Sequence, residues 1–573
     1  MRPRNLLSRL VTWGGAVALM APPLKQSCTP GRLRPRSWLT DEERTDANVI
    51  TGHRYRAVIE ARRQSLSDLL RRSAARFGDK TAVVDGDLSF SFAELDAAAT
   101  SAAAALQRRG IVKGDRLALL ARNCWQYAVL SFASARLGVL LVPINFMLTA
   151  DEVAFILENC EPSAITADDG LCTMVEEALR LSGSNVKVRG WIGAGDPRPG
   201  WENVAQWTKC DHDLTEAIIE DDDPIRIMYT SGTEARPKGV MLSSRALIAQ
   251  YVSAIVDGGM SKEDIDLRSM PLFHCAQLDC FLGPDIYLGA TSIILPSPQP
   301  QAVLTAIETH GVTKFFAPPT VWISLLNTPA FASYNLSSLH KGYYEASAMP
   351  AEVLREIQNR LPDLKLWNFY GQTELSPVAT ILAPEDQRRQ PGSAGKPVLN
   401  IETMIVDDDD NPVPPGTVGE IVHRSPRATL GYWKDPDKTQ AAFANGWFHT
   451  GDLGVVSEDG LLSVVDRKKD MIRTGRENVA SREVEEAVYL HPSVAEVAVF
   501  GIPHSKWVEA VAAVIVRKPS AQLTADELRR HCAQHLAGFK VPQTLLLLHR
   551  QPAQEPERKD PQTRPARPVR PTQ

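Results

Sequence analysis

From residue 66 onward, apolar and polar positions follow two alternating periods. Leu66-Ser67-Asp68-Leu69-Leu70 opens a run at helical spacing that continues to Phe77. Residues 81–84 and 88–90 read as short strands around Asp85-Gly86-Asp87, a hairpin with an Asp-Gly turn. Ser91 with Glu94 predicts a capping box for an alanine-rich helix ending near Gly110. Leu117-Ala118-Leu119-Leu120, a helix from about Trp125, and residues 139–144 follow as strand, helix, strand. Thr149 with Glu152 marks a second capping box before residues 153–157, and Ala164-Ile165-Thr166 is the next strand. Further β-type runs stand at 291–295, at Phe315-Phe316-Ala317-Pro318-Pro319 and at Leu366-Trp367-Asn368-Phe369. Such alternation predicts an α/β fold of parallel sheets covered by helices, with ligands beyond the carboxyl ends of strands.

Length changes this picture only by adding domains, because 573 residues exceed one ordinary core. A 44% hydrophobic and 23% charged composition is that of a soluble globular chain, and a net charge of -5 predicts no nucleic-acid partner. The eight cysteines contain no Cys-x-x-Cys pair, which argues against a zinc site or a disulfide framework and suits a reducing cytosol. Residues 1–64 differ from the rest. Arg2, Arg4 and Arg9 precede an apolar stretch, 10–22, whose Ala16-Val17-Ala18 mimics a signal-peptidase site. That stretch is short for a membrane span, and residues 25–63 are basic and aperiodic. An overcalled start codon upstream of the enzyme fits better than a secretory signal, so a cytoplasmic location without a membrane partner is expected.

The chemistry gathers around Ile225-Arg226-Ile227-Met228-Tyr229-Thr230-Ser231-Gly232-Thr233-Glu234-Ala235-Arg236-Pro237-Lys238-Gly239-Val240. A short apolar strand empties into a Ser/Thr/Gly loop closed by Pro-Lys-Gly. Hydroxyls and backbone N–H groups there can wrap a polyphosphate, and Lys238 supplies a mobile positive charge. The spacing is not that of the Walker loop. Pro271-Leu272-Phe273-His274 places a histidine after an apolar triplet. In Tyr370-Gly371-Gln372-Thr373-Glu374 an aromatic ring can stack on a purine, Thr373 can bond phosphate and Glu374 can hold a hard cation. Gly446-Trp447-Phe448-His449-Thr450-Gly451-Asp452 offers a carboxylate on a tight turn, suited to ribose hydroxyls. Asp466-Arg467-Lys468-Lys469-Asp470-Met471-Ile472 reads as a solvated linker or hinge.

With these motifs in this order, residues 66–542 resemble the adenylate-forming superfamily, in its acyl-CoA synthetase (fatty acyl-CoA ligase) branch. The resemblance implies a large amino-terminal domain, 65–467, of two helix-covered sheets plus a small β-barrel. It also implies a small, mobile α+β carboxy-terminal lid, 468–547. A carboxylate would attack the α-phosphate of ATP with Mg²⁺, giving acyl-AMP, and the thiol of coenzyme A would then displace AMP. Carried over by position, Thr230, Ser231, Gly232, Thr233 and Lys238 match the phosphate loop. Ala346, Tyr370, Gly371 and Gln372 match the adenine side, with Thr373 at phosphate and Glu374 at Mg²⁺. Asp452 matches the ribose aspartate, Arg467 a nucleotide-contacting arginine, Lys469 the hinge and Gly475 the pantetheine loop. His274 matches the residue beside the substrate carboxylate. A medium- or long-chain fatty acid is the expected substrate, with an aryl or steroid-derived acid, or a carrier-protein acceptor, as alternatives. The acid pocket is expected between the segment after His274 and residues 341–349.

The chain departs from the family pattern at four places. Glu234-Ala235 stands for the usual Thr-Gly, Glu345 for a glycine against adenine, and Arg476 for a second glycine in the pantetheine loop. The tail, 551–573, is Pro- and Arg-rich and lacks the late Pro-Ser-Gly-Lys lysine of relatives. Permitted codons for 548–565, read one base on, spell Phe-Ile-Asp-Ser-Leu-Pro-Arg-Asn-Pro-Ser-Gly-Lys-Ile-Leu-Lys-Arg-Asp-Leu, which is the missing ending. A frame shift between Pro542 and Leu548 is therefore expected, so 548–573 is read as out of frame. The rival reading is a remnant that binds nucleotide or acyl ligand without activating it.

Overall fold

In the computed structural model the described residues are 58, 61–215, 217–230, 236–345, 349–387, 389–474, 477–504, 508–518 and 521–549. Ser231, Gly232, Thr233, Glu234, Ala235, Ala346, Gly475, Arg476 and the tail from 550 lie outside them, as does nearly all of 1–64. Packing begins slightly earlier than expected. Ser65 caps the helix Leu66–Phe77 in a capping box with Asp68. Arg63 pairs with Asp68 at 2.7 Å, and Gln64 N–H bonds Asp221 Oδ1 at 2.9 Å. The predicted boxes at Ser91 and Thr149 form and open the helices Phe92–Arg108 and Ala150–Cys160.

The β-α-β alternation resolves into two large sheets. Among the described residues one has nine strands, in the spatial order Lys396–Pro397, Val378–Leu382, Lys365–Gly371, Lys341–Tyr344, Lys314–Phe316, Ile265–Arg268, Thr291–Ile294, Thr81–Asp85 and Leu88–Ser91. The other has eight, running from Gly431–Tyr432 through Lys238–Ser243, Pro224–Thr230, Leu140–Pro143 and Arg116–Leu120 to Glu202–Asn203. Their centres are parallel, as in Arg116↔Leu140 and Phe316↔Tyr343. The expectation of parallel pairing fails at the edges. Pro224–Thr230 and Lys238–Ser243 form an antiparallel hairpin, and Lys365–Gly371 pairs antiparallel with Val378–Leu382. The reason is chain length: only a short loop joins each of these pairs, and a parallel crossover needs a dozen residues or more.

Strands buried on both faces explain why these segments read as apolar runs rather than alternations. Leu117–Leu120 and Leu140–Pro143 are fully buried, as is every residue of the helix Trp125–Leu137 between them. Charge is nevertheless built into the nine-stranded sheet. Asp266, Arg268, Asp285 and Lys314 are all inaccessible and mutually paired, Arg268 to Asp266 at 2.8 Å and Lys314 to Asp266 at 3.0 Å. A third, antiparallel sheet of five strands curls as half of a barrel and ends with Leu462–Arg467. A fourth sheet begins at Ile472–Thr474 and carries the helices Ser481–Tyr489 and Ala525–His535.

Candidate active site

Three strand ends and one helical segment converge on a cavity of about 1060 Å³. Its wall includes Thr230, Lys238, His274, Tyr370, Gly371, Gln372, Thr373, Glu374, Asp452, Arg467 and Lys469. Every predicted site residue that is described therefore reaches one cavity, although the sequence spreads them over 240 positions (469 − 230 + 1).

The phosphate side rests on the hairpin. Pro224–Thr230 is buried at its centre and delivers Thr230 at its carboxyl end, while Lys238 opens the return strand. Thr230 Oγ1 is buried without a hydrogen-bond partner among the described residues, a donor left for a ligand oxygen. Arg226, on the same strand, pairs at 3.1 Å with Asp279, which also accepts from Tyr251 OH at 3.1 Å. Asp279 lies in a π-helical turn, Ala276–Leu282, directly after His274. This buried ion pair fixes the phosphate strand against the segment that carries the histidine, and π-turns are frequent at functional sites.

Lys238 does not stand free. Its Nζ lies 2.8 Å from Glu374 Oε1 and donates to Tyr432 OH at 2.8 Å, while Tyr432 OH donates to Glu374 Oε1 at 2.9 Å. Burial, then the charge of Glu374, raises the Tyr432 pKa, so the phenol stays protonated and can donate. The three groups form a closed triangle of lysine, phenol and carboxylate. Sequence reasoning missed Tyr432 because it is 194 residues from Lys238 and 58 from Glu374, on a two-residue strand without a periodic signal.

Elsewhere on the wall Asp452, only 6% exposed, is gripped by Tyr370 OH at 2.7 Å and by Gln372 Nε2 at 3.0 Å. Gln372 also donates to Thr450 O at 2.9 Å, and Arg467 Nε lies 3.5 Å from Asp452 Oδ1. Gly371 between them must be glycine. An added Cβ would sit 1.9 Å from Pro377 O, because the strand end folds back on itself there. Thr373 Oγ1 lies 3.2 Å from Cys275 Sγ, which joins the Gln372–Glu374 turn to the His274 segment.

His274 is exposed and opens into the cavity, and partial desolvation by the surrounding protein lowers its pKa. Ala276 N–H donates to its Nδ1 at 3.2 Å, which leaves Nε2 to carry the proton of the neutral ring. Beyond it the wall turns apolar, with Cys275, Cys280, Phe281 and Phe316, and then Glu345. Glu345, where a clash against adenine is expected, lines the same cavity. Burial raises its carboxyl to about 7.

The charged run expected as a solvated linker is anchored at both ends. Asp466 Oδ2 accepts from Ser481 Oγ at 2.9 Å, and Ile472 is buried. Lys468 pairs with Asp408 at 2.9 Å and with Glu420 at 3.1 Å. Among the described residues Lys469, by contrast, pairs only with Asp470, at 3.9 Å.

Could the site hold a divalent cation? No group of three or more His, Cys, Asp or Glu among the described residues is arranged to ligate one. Magnesium does not require such a cage, since it keeps several waters and takes one or two carboxylates plus phosphate oxygens. The nearly buried carboxylate of Glu374, facing the cavity beside Thr230 and Lys238, fits that donor set.

Comparison with known proteins agrees with this geometry. The family model for AMP-binding enzymes matches residues 70–433, and the model for their carboxy-terminal domain matches 483–556. The chain is 33% identical to a feruloyl-CoA synthase of Amycolatopsis over 492 residues, covering 86% of this chain and 96% of that one. It is 32% identical to a long-chain-fatty-acid–CoA ligase of Escherichia coli over 513 residues, covering 84% and 90%. The anthranilate CoA ligase AuaEII, solved with anthranoyl-AMP, superposes with a TM-score of 0.79 at 26% identity, covering 84% and 93%.

Proposed function

The chain belongs to the AMP-binding enzyme family, as an AMP-forming acid–thiol ligase, and from that premise we propose how its residues divide the work and which acid it takes. One observation carries the reading. The Lys238–Tyr432–Glu374 triangle and the Asp452–Tyr370–Gln372 cluster line one cavity, together with a Thr230 hydroxyl that has no partner among the described residues. A lysine with a free hydroxyl suits phosphates, and a buried carboxylate held by two donors suits ribose hydroxyls.

Asp452 holds the ribose hydroxyls, and Tyr370 and Gln372 orient its carboxylate. Thr230 and Thr373 donate to phosphate oxygens. Lys238 leaves Glu374 for the phosphates when they arrive, and the freed carboxylate would hold Mg²⁺, which would supply charge neutralisation at the phosphates. His274 presents its Nε2 proton to the carboxylate of the acid. The acid is expected to be a poor acylating agent until AMP becomes its leaving group, and the thiol of coenzyme A then takes the acyl group.

For the acid itself, the aromatic wall favours a flat, ring-bearing body. Phe281 stacks on Phe316 at 4.5 Å and on Phe369 at 5.7 Å, and all three line the cavity. Similarity to a feruloyl-CoA synthase and an anthranilate ligase supports the same class. A medium- or long-chain fatty acid is the second reading, supported by similarity to the Escherichia coli ligase. ATP–pyrophosphate exchange over a panel of aryl and fatty acids tests both. Exchange with aryl acids supports the reading and exchange with fatty acids alone reverses the order. Exchange with none leaves the remnant, for which the missing late lysine speaks.

A further inference from the structure

The strand Lys341–Tyr344 ends against the cavity and delivers Glu345 directly to its wall. The same wall carries the Phe281–Phe316 stack and the buried Cys275 and Cys280. Tyr343, two residues before Glu345 on that strand, pairs in register with Phe316 and packs edge-on against Phe281 at 5.2 Å. Glu345 therefore belongs to the acid half of the cavity. Burial alone shifts its carboxyl, with no opposing hydrogen bond or charge from a described residue.

A carboxyl in an apolar wall without a partner among the described residues is left for water or for the ligand. A hydrocarbon seated against it removes the water and returns nothing, which leaves a polar group buried and unsatisfied. A hydroxyl or amino substituent at that point restores the bond, because a protonated carboxyl both donates and accepts and a carboxylate accepts. We propose that Glu345 determines specificity in the acid subsite, selecting a carboxylic acid whose body carries a hydroxyl or amino group over the same acid without it. The proposal rests on the ligase reading above. Leaving a buried polar group unpaired corresponds to a discrimination on the order of tenfold to a hundredfold.

Binding rather than turnover tests this, so the result does not depend on the state of the carboxyl terminus. Sulfamoyl-adenosine conjugates of cinnamic acid and of its ortho-, meta- and para-hydroxy isomers are titrated calorimetrically into the full chain, into Glu345→Gln and into Glu345→Ala. Melting curves report that each variant folds. The expected result is that at least one hydroxy isomer binds the unaltered chain tenfold or more tighter than the plain conjugate. Glu345→Gln, whose amide also donates and accepts, keeps a preference, and Glu345→Ala reduces it to within threefold. If all four conjugates bind the unaltered chain alike, or the preference survives in Glu345→Ala, the role of Glu345 is overturned while the ligase reading stands. If none binds, the ligase reading falls and the proposal with it. Where one variant does not fold, the other carries the assignment, and equal binding of the four conjugates to the unaltered chain overturns the proposal by itself.

Discussion

Tyr432→Phe isolates one hydroxyl in the centre of the site. The ring stays, and with it the cation–π contact in which Lys238 Nζ sits 4.3 Å from the ring centroid. What disappears is the bond received from Lys238 at 2.8 Å and the bond given to Glu374 at 2.9 Å. Each involves a charged partner and is worth about 1.5–3 kcal/mol. The two are not lost in full, because Lys238 and Glu374 remain 2.8 Å apart and neither becomes an orphaned charge. A net loss near one such bond, about 1.5–2 kcal/mol, corresponds to roughly a ten- to thirtyfold fall in rate. The assay is pyrophosphate exchange with an accepted acid, giving kcat/KM separately for ATP and for the acid. The fall is expected in the ATP term, since the triangle faces phosphate, with the KM of the acid unchanged. Lys238→Met provides the scale and is expected to lose more than a hundredfold, because a charge is removed where charge develops. A Tyr432→Phe enzyme within twofold of the unaltered one for ATP, beside a strongly impaired Lys238→Met, would refute the positioning role of the phenol.

Three further outcomes follow from the same structure. Asp452→Asn is expected to weaken ATP binding about tenfold in calorimetry, because Tyr370 and Gln372 lose a charged acceptor and the ribose loses its carboxylate; unchanged affinity would remove Asp452 from the nucleotide site. Lys314→Met leaves Asp266 and Asp285 buried with Arg268 as their remaining partner, and should cost about 3–5 kcal/mol, read as a lowered urea midpoint; a midpoint shift below a tenth of that would show the cluster to be uncoupled. His423 supplies a pH effect. Burial, reinforced by Arg427, lowers its pKa to about 3 from 6.5, so below pH 6.5 the unfolded chain binds a proton that the folded chain refuses. Stability is therefore expected to fall with pH from 6.5 downward, by about 2 kcal/mol at pH 5 from this residue. His423→Gln should flatten that part of the stability profile, and an unaltered profile would place the loss elsewhere.

Local signals carried much of the fold. Ser65, Ser91 and Thr149 each cap a helix, and the Asp-Gly hairpin forms where the alternation breaks, because each rests on contacts within a few residues. Pairing direction at the sheet edges was not legible in the same way, since it depends on which strand lies alongside in space. The candidate site divides along the same line. Lys238, Glu374 and Asp452 sit in short motifs whose chemistry is visible residue by residue, and all three line the cavity. Tyr432 belongs to no such motif. It becomes functional only because the edge strand Gly431–Tyr432 pairs antiparallel with Lys238–Ser243 and so sets the phenol beside the lysine. Glu345 shows the converse. Its departure was plain in the sequence, but the reading there, a clash at adenine, followed from a missing glycine alone. The strand Lys341–Tyr344 ends so that Glu345 lines the cavity along with Cys275 and Cys280, and the role proposed above turns the same residue from an obstruction into a means of choosing the acid. A substitution that breaks a local rule and still reaches a ligand cavity is better explained by what it can bind than by what it disrupts.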